Sequence, residues 1–201
     1  MPNLLIATNN QGKLREFRQL LHGLPFTPVS PREIGLQVHV EEDGGSFAEN
    51  ALLKASAFAH ASGLLALADD SGLEVDALGG EPGILSARYG GPGLSDADRC
   101  RLLLQKLRET PDGERQARFR CVIAVASPQG RRWTAEGACA GVIAHEPQGS
   151  GGFGYDPLFF LPTHGCTMAE LPEEEKNRIS HRAAAARGIR PVLQQLPEGT
   201  P

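Results

Sequence analysis

Apolar residues recur along this chain with two periods. Leu4-Leu5-Ile6-Ala7-Thr8 and Leu64-Leu65-Ala66-Leu67 are short continuous runs with the length and composition of buried strands. Between them, Leu14, Phe17, Leu20 and Leu21 fall at helical spacing over residues 13–21. Phe47, Ala51, Lys54, Ala55 and Phe58 share one face of an alanine-rich stretch that Ser46 and Glu49 open as a capping box and that runs to about Ser62. Phe26-Thr27-Pro28-Val29 reads as a short strand, and its proline predicts an edge position.

Alternation returns over residues 73–78, followed by a short helix at residues 84–89. Ser95 starts an amphipathic helix carrying Leu102, Leu103, Leu104 and Leu107. Residues 117–126 and 132–143 read as a long hairpin joined at Ser127-Pro128-Gln129-Gly130, and residues 183–195 as a last helix that Ser180 caps. Strands interleaved with helices, then a hairpin, predict a mixed sheet with helices packed on it.

Composition narrows the class. A chain of 201 residues, 40% hydrophobic and 22% charged, is long enough to bury a core and reads as globular. A net charge of -4 gives no overall footprint for nucleic acid. No basic leader and no apolar run near the roughly 18 residues of a membrane span is visible, so neither a signal peptide nor a membrane partner is expected. Cys100, Cys121, Cys139 and Cys166 are far apart, which predicts reduced thiols, a cytoplasmic setting and no zinc site.

Chemistry concentrates at six places. Ala68-Asp69-Asp70-Ser71-Gly72 sets two carboxylates at the end of an apolar run, suited to a hard cation or to activating water. Adjacent strand residues point to opposite faces, so the two serve one site only if the backbone turns at Ser71-Gly72; a solvated turn is the alternative. Glu41-Glu42-Asp43 before Gly44-Gly45 is a second acidic point. Residues 8–13 form a polar strand-to-helix turn carrying Lys13, which reads by itself as an ordinary capped helix start and, alternatively, as a place where helix N–H groups attract phosphate. Lys54 stands on an apolar helix face. Residues 149–154 match G-x-G-x-x-G, but Tyr155-Asp156-Pro157 follows where a dinucleotide-binding helix would begin. What remains is a glycine loop presenting Phe153, Tyr155 and Asp156. Finally, His181 and Arg182 at a helix start oppose the helix dipole and, with Lys176, suit an anionic or carbonyl-bearing ligand; a charge-balanced surface, the Glu173-Glu174-Glu175 run answering the basic one, is the competing account. No serine-nucleophile elbow and no H-E-x-x-H stretch is present.

These stretches together resemble the inosine triphosphate pyrophosphatase family. The resemblance rests on Thr8-x-Asn10-x-x-Lys13, Phe47-x-Glu49-Asn50-Ala51-x-x-Lys54-Ala55 and Ala68-Asp69-Asp70-Ser71-Gly72-Leu73-x-Val75-Asp76-Ala77-Leu78. It continues through Pro82-Gly83-x-x-Ser86-Ala87-Arg88-Tyr89, Gly152-Phe153-Gly154-Tyr155-Asp156-Pro157 and Ser180-His181-Arg182, covering nearly the whole chain in order. The Asp-Asp-Ser-Gly and Phe-Gly-Tyr-Asp forms are closer to the bacterial branch, which acts on noncanonical purine nucleoside triphosphates.

The resemblance implies an α/β fold: an elongated mixed sheet flanked by helices, two lobes with a nucleotide cleft between them, kept here as one domain because the lobes share the sheet. It implies Mg2+-dependent hydrolysis of ITP, dITP and XTP to the monophosphate and pyrophosphate by a homodimer. Thr8, Asn9, Asn10, Gln11, Gly12 and Lys13 would cradle the triphosphate, with Lys54 adding charge and Ser71 alongside. Glu41 and Asp70 would hold the metal, with Glu42 the alternative to Glu41 and Asp69 a possible third carboxylate, and Asp70 would take the proton from water. Phe153 would stack on the purine, Gly154, Tyr155 and Asp156 would close its pocket, and Lys176, His181 and Arg182 would supply donors. A nucleotide sensor without turnover and a pyrophosphatase for modified pyrimidine triphosphates are the competing readings.

Overall fold

The computed structural model describes residues 1–196. Seven strands form one mixed sheet: β1 (Asn3–Ile6), β2 (Thr27–Val29), β3 (Leu65–Val75), β4 (Gln116–Ala126), β5 (Arg132–Ile143), β6 (Phe159–Leu161) and β7 (Cys166–Thr167). Their order is β2-β1-β3-β4-β5-β6-β7. β1 runs parallel to both β2 and β3, while β6 is antiparallel to β5 and to β7. Pro28 stands on the edge strand β2, where its missing N–H costs no ladder bond.

Among the described residues five α-helices accompany the sheet: α1 (Gln11–Leu20), α2 (Phe47–Ser62), α3 (Asp96–Lys106), α4 (Glu173–Ile179) and α5 (His181–Gln195). Their starts follow local chemistry. Asn10 caps α1 and Ser46 caps α2, while Ser95 and Asp98 form a full capping box on α3. Gly63 ends α2 in the left-handed conformation, at φ 67°, that a helix C-terminus favours. The run at 173–178 reads from sequence as charge ahead of the last helix, yet it folds as α4. Pro172 stands at its N-cap and three glutamates fill its first turn, where negative charge suits the dipole.

The chain forms two compact units. The first comprises, of the described residues, 1–70, 121–137 and 181–196, and the second residues 71–120 and 138–180. Each has its own core. Leu4, Ile6, Phe17, Leu67, Ile123, Val125, Ile189 and Leu193 are fully buried in the first. Leu73, Val75, Leu103, Leu107, Leu158 and Phe159 are fully buried in the second. Among the described residues no helix is long and apolar enough to cross a membrane.

One sequence-based alternative resolves here. The backbone does not turn at Ser71-Gly72. β3 continues through the acidic pair to Val75 as a single 11-residue strand, so Asp69 and Asp70 take opposite sides of the sheet.

Candidate active site

In the first unit, the turn from β1 into α1 is held by its own polar side chains. The Asn10 N–H donates to Thr8 Oγ1 at 3.1 Å, and Asn10 Oδ1 accepts the Lys13 N–H at 3.0 Å. The first turn of α1 contains no acid. Its leading N–H groups, at Gln11 and Gly12, belong to the helix positions that lack an intrahelical acceptor. Lys13 rises from this turn, with its Nζ 2.9 Å from Asp69 Oδ2.

Asp69 is the hub of a buried charge network. Arg182 donates to its Oδ2 from Nε at 3.3 Å and from one terminal nitrogen at 3.0 Å. The other terminal nitrogen of Arg182 donates to Glu16 at 2.5 Å. Each guanidinium nitrogen is thus engaged, and the Arg182 side chain is 1% exposed. Burial alone would raise the Asp69 pKa, but the charges of Lys13, Arg182 and Lys54 hold it far below the carboxylate range. Burial likewise works against the Arg182 charge, and Asp69 and Glu16 overcome it.

Asp70 meets a different environment. Asn50 Nδ2 donates to its Oδ2 at 3.1 Å, and Asn50 Oδ1 in turn accepts the Gly44 N–H at 2.9 Å. Burial raises the Asp70 pKa, and the opposing effects of Lys54, the Asn50 hydrogen bond and Lys13 do not cancel it; the nearby Glu42 charge pushes it further up. Lys54 reaches from α2 to donate to the Asp69 carbonyl oxygen at 2.8 Å, and pairs with Glu42 at 2.8 Å. Burial works against its ammonium, but Asp69, Glu42 and Asp70 keep it charged. So the acid brought into this cluster is Glu42. Glu41 is exposed and makes no ion pair among the described residues.

His181 and Arg182 open α5, both buried. Gly137 on β5 lets that helix approach: a Cβ there would strike the His181 carbonyl oxygen and the Ala185 nitrogen. The sequence offered no reason to single out Glu16, whose partner lies at the other end of the chain. Asn50 stood within a quoted stretch but without a role. Its full burial in the first turn of a helix, hydrogen-bonded at both ends of its amide, marks it as part of the site.

In the second unit, the glycine loop is tied at successive residues. Asp156 Oδ2 accepts the Phe153 N–H at 2.9 Å and the Lys176 ammonium at 2.7 Å, an ion pair whose two side chains are both buried. The Lys176 Nζ also lies 4.7 Å from the centre of the Phe153 ring, within cation–π range. Gly152 adopts φ 72°, and a Cβ there would strike the Asp156 carboxylate. Tyr155 donates its hydroxyl to the Ser86 carbonyl oxygen at 2.9 Å, and the Gly154 N–H donates to Asp96 at 2.8 Å. Phe153, Gly154, Tyr155, Asp156 and Lys176 therefore form one assembly. Ser71, half-buried, follows Asp70 in β3.

No three histidine, cysteine or acidic side chains gather as a metal cluster among the described residues. A magnesium ion that keeps most of its waters needs only one or two protein carboxylates, and Asp70 with an acid of the 41–42 loop could supply them.

Comparison with known proteins agrees with this architecture. The profile of the Ham1 family matches residues 4–192. A dITP/XTP pyrophosphatase of Geobacter sulfurreducens is 55% identical over 185 residues, 92% of this chain and 93% of that protein. A dITP/XTP pyrophosphatase of Thermus thermophilus is 48% identical over 198 residues, 98% of this chain and 93% of that protein. Among solved structures, a HAM1 protein from Coxiella burnetii superposes with a TM-score of 0.88 at 41% identity, covering 98% of this chain and 100% of that one.

Proposed function

The chain belongs to the Ham1 family, and on that premise we propose that it hydrolyses ITP, dITP and XTP to the nucleoside monophosphate and pyrophosphate, using water activated at Asp70. Its standing as a hydrolase of phosphoanhydride bonds follows from the family. The assignment of roles to residues is our reading.

The observation that carries it is the contrast between two neighbouring carboxylates. Asp69 is saturated by Lys13 and Arg182, and its depressed pKa makes it a poor base. Asp70 faces a neutral amide, and burial raises its basicity. In the reaction, Asp70 takes a proton from water, the water oxygen bonds to the α-phosphorus, and the α–β anhydride bond breaks to release pyrophosphate. The α1 turn at Thr8, Asn9, Asn10, Gln11 and Gly12, with Lys13 and Lys54, receives the triphosphate, and Ser71 lies alongside. Substrate phosphate would compete with Glu42 for Lys54 and free that acid.

Asp70, with Glu42 or Glu41, would hold Mg2+, which when bound offsets phosphate charge and polarises the anhydride. Glu42 is the better candidate because its charge already bears on Asp70. Phe153 offers a stacking surface for the purine, with Gly154, Tyr155 and Asp156 shaping its surroundings. Lys176 and His181 supply donors that suit the 6-keto oxygen of hypoxanthine and xanthine. Arg182, spent on Asp69 and Glu16, serves by holding the charged groups in place. A homodimer, a single-domain organisation and a cytoplasmic location complete the reading, on the family resemblance.

The test is pyrophosphate release from ITP, XTP, dITP, GTP and ATP with and without Mg2+. Fast metal-dependent release from the first three, with little from GTP and ATP, is expected. Orthophosphate as product, or equal turnover of ATP, would overturn it.

A further inference from the structure

Helix α3 touches the glycine loop with two side chains one turn apart. Asp96 Oδ2 accepts the Gly154 N–H at 2.8 Å, and the Cys100 thiol lies 3.5 Å from the Gly154 carbonyl oxygen. Residues four apart share a helix face, so both polar groups of one loop residue rest on a single face of α3. Gly154 has φ 63°, a conformation other residues rarely adopt, and this anchorage holds it. Near neutral pH the sulfur stays a thiol, and toward this carbonyl oxygen it is the donor. Burial, with the charges of Asp96 and Asp156, pushes its pKa up to about 11.

Asp96 is not consumed in capping its own helix. Ser95 caps α3 by accepting the Asp98 N–H, and Asp98 returns the bond to Ser95. One Asp96 oxygen faces Arg99 at 3.3 Å, leaving the other for Gly154. The neighbours of Gly154 are fixed independently, Phe153 by Asp156 and Tyr155 by Ser86. Asp96 is therefore the charged group that holds Gly154, the one residue between the stacking ring and the buried tyrosine.

We propose that Asp96, supported by Cys100, is a positioning residue that fixes the purine-binding loop and through it the enzyme's selectivity for the base. This rests on the reading that residues 153–156 receive the purine. A charge-assisted hydrogen bond is worth about tenfold or more in an equilibrium, and here solvent reaches the carboxylate, so roughly tenfold is expected.

The experiment measures binding of dIMP and of inorganic pyrophosphate by calorimetry, with dITP kinetics and thermal unfolding. Wild type, Asp96→Ala, Asp96→Asn and Ser95→Ala are compared. Asp96→Ala should weaken dIMP binding and raise KM for dITP by roughly tenfold, with kcat within about threefold and pyrophosphate binding unchanged. Asp96→Asn keeps an acceptor oxygen and should recover most of the loss. Ser95→Ala removes the helix cap and should lower the unfolding temperature without changing dIMP binding. Unchanged dIMP affinity in Asp96→Ala would overturn the proposal, as would equal loss of dIMP and pyrophosphate binding or a matching loss in Ser95→Ala. Failure of the underlying reading looks different: wild type would not bind dIMP, or Phe153→Ala would bind it normally.

Discussion

The charged cluster of the first unit and the loop assembly of the second both bury ions, but they balance them differently. In the first, Glu16, Glu42, Asp69 and Asp70 face Lys13, Lys54 and Arg182, one acid in excess. The excess falls on Asp70, which has an amide for a partner and a raised pKa. In the second, the two buried ions Lys176 and Asp156 match one for one, and the carboxylate that adds a contact to the loop, Asp96, is solvent-exposed and has Arg99 beside it. An unbalanced cluster retains a group ready to accept a proton or a cation, whereas a balanced one fixes shape. On the proposed reading, reactivity and recognition fall to different chemistry.

The largest expected effect breaks the first side of that contrast. Asp70→Asn should lower kcat for dITP by at least about 10²-fold, the lower range for general-base catalysis. Its unfolding temperature should change little, because burial already works against this charge. Near-normal turnover would remove Asp70 from the role. Asp69→Asn should do the reverse kind of damage. It leaves Arg182 and Lys13 facing a lost carboxylate, and breaking a buried pair costs about 3–5 kcal/mol, read from denaturant unfolding. If Asp69→Asn keeps its stability but loses only turnover, the division between the two aspartates is wrong.

Lys176→Met tests the second side. It strands the buried Asp156 charge and should destabilise by an amount at or below that of Asp69→Asn, since one ion pair is broken where Asp69 loses two. It should also weaken dIMP binding while leaving pyrophosphate binding intact. Equal losses for both ligands would dissolve the distinction between the regions.

The smallest effect belongs to an acid outside both. Glu33 accepts the Ser30 N–H and hydroxyl and pairs with Arg18, which lowers its pKa to about 2 from an ordinary 4.5. A depressed folded pKa contributes stability above pH 4.5 that is lost as pH falls toward 2. Glu33→Gln should therefore narrow the stability gap to wild type across that window, by a modest amount because the group is exposed. An unchanged acid unfolding profile would show the contact to be weak in solution.

Much of this molecule was legible in the chain alone. Periodicity located β1, α1, α2, α3 and the two long strands β4 and β5, because burying one face of each element imposes its period on the residues. Pro28 marked an edge strand, and Ser46 and Ser95 marked helix starts, since those effects depend on neighbours within a turn. Residue type and spacing raised Lys13, Lys54, Asp70, Phe153 and Lys176 as candidates beside bland alternatives, and the family resemblance gave them roles. Sequence could not decide whether β3 bends at Ser71-Gly72, and that bend determines whether Asp69 and Asp70 share a face. Pairing within the sheet kept the strand continuous and separated them. Nor could it foresee that Arg182, 113 positions from Asp69 and 166 from Glu16, closes a buried network. Local sequence sets which conformations a segment prefers. Which distant charges must neutralise one another is set only when the fold removes them from water.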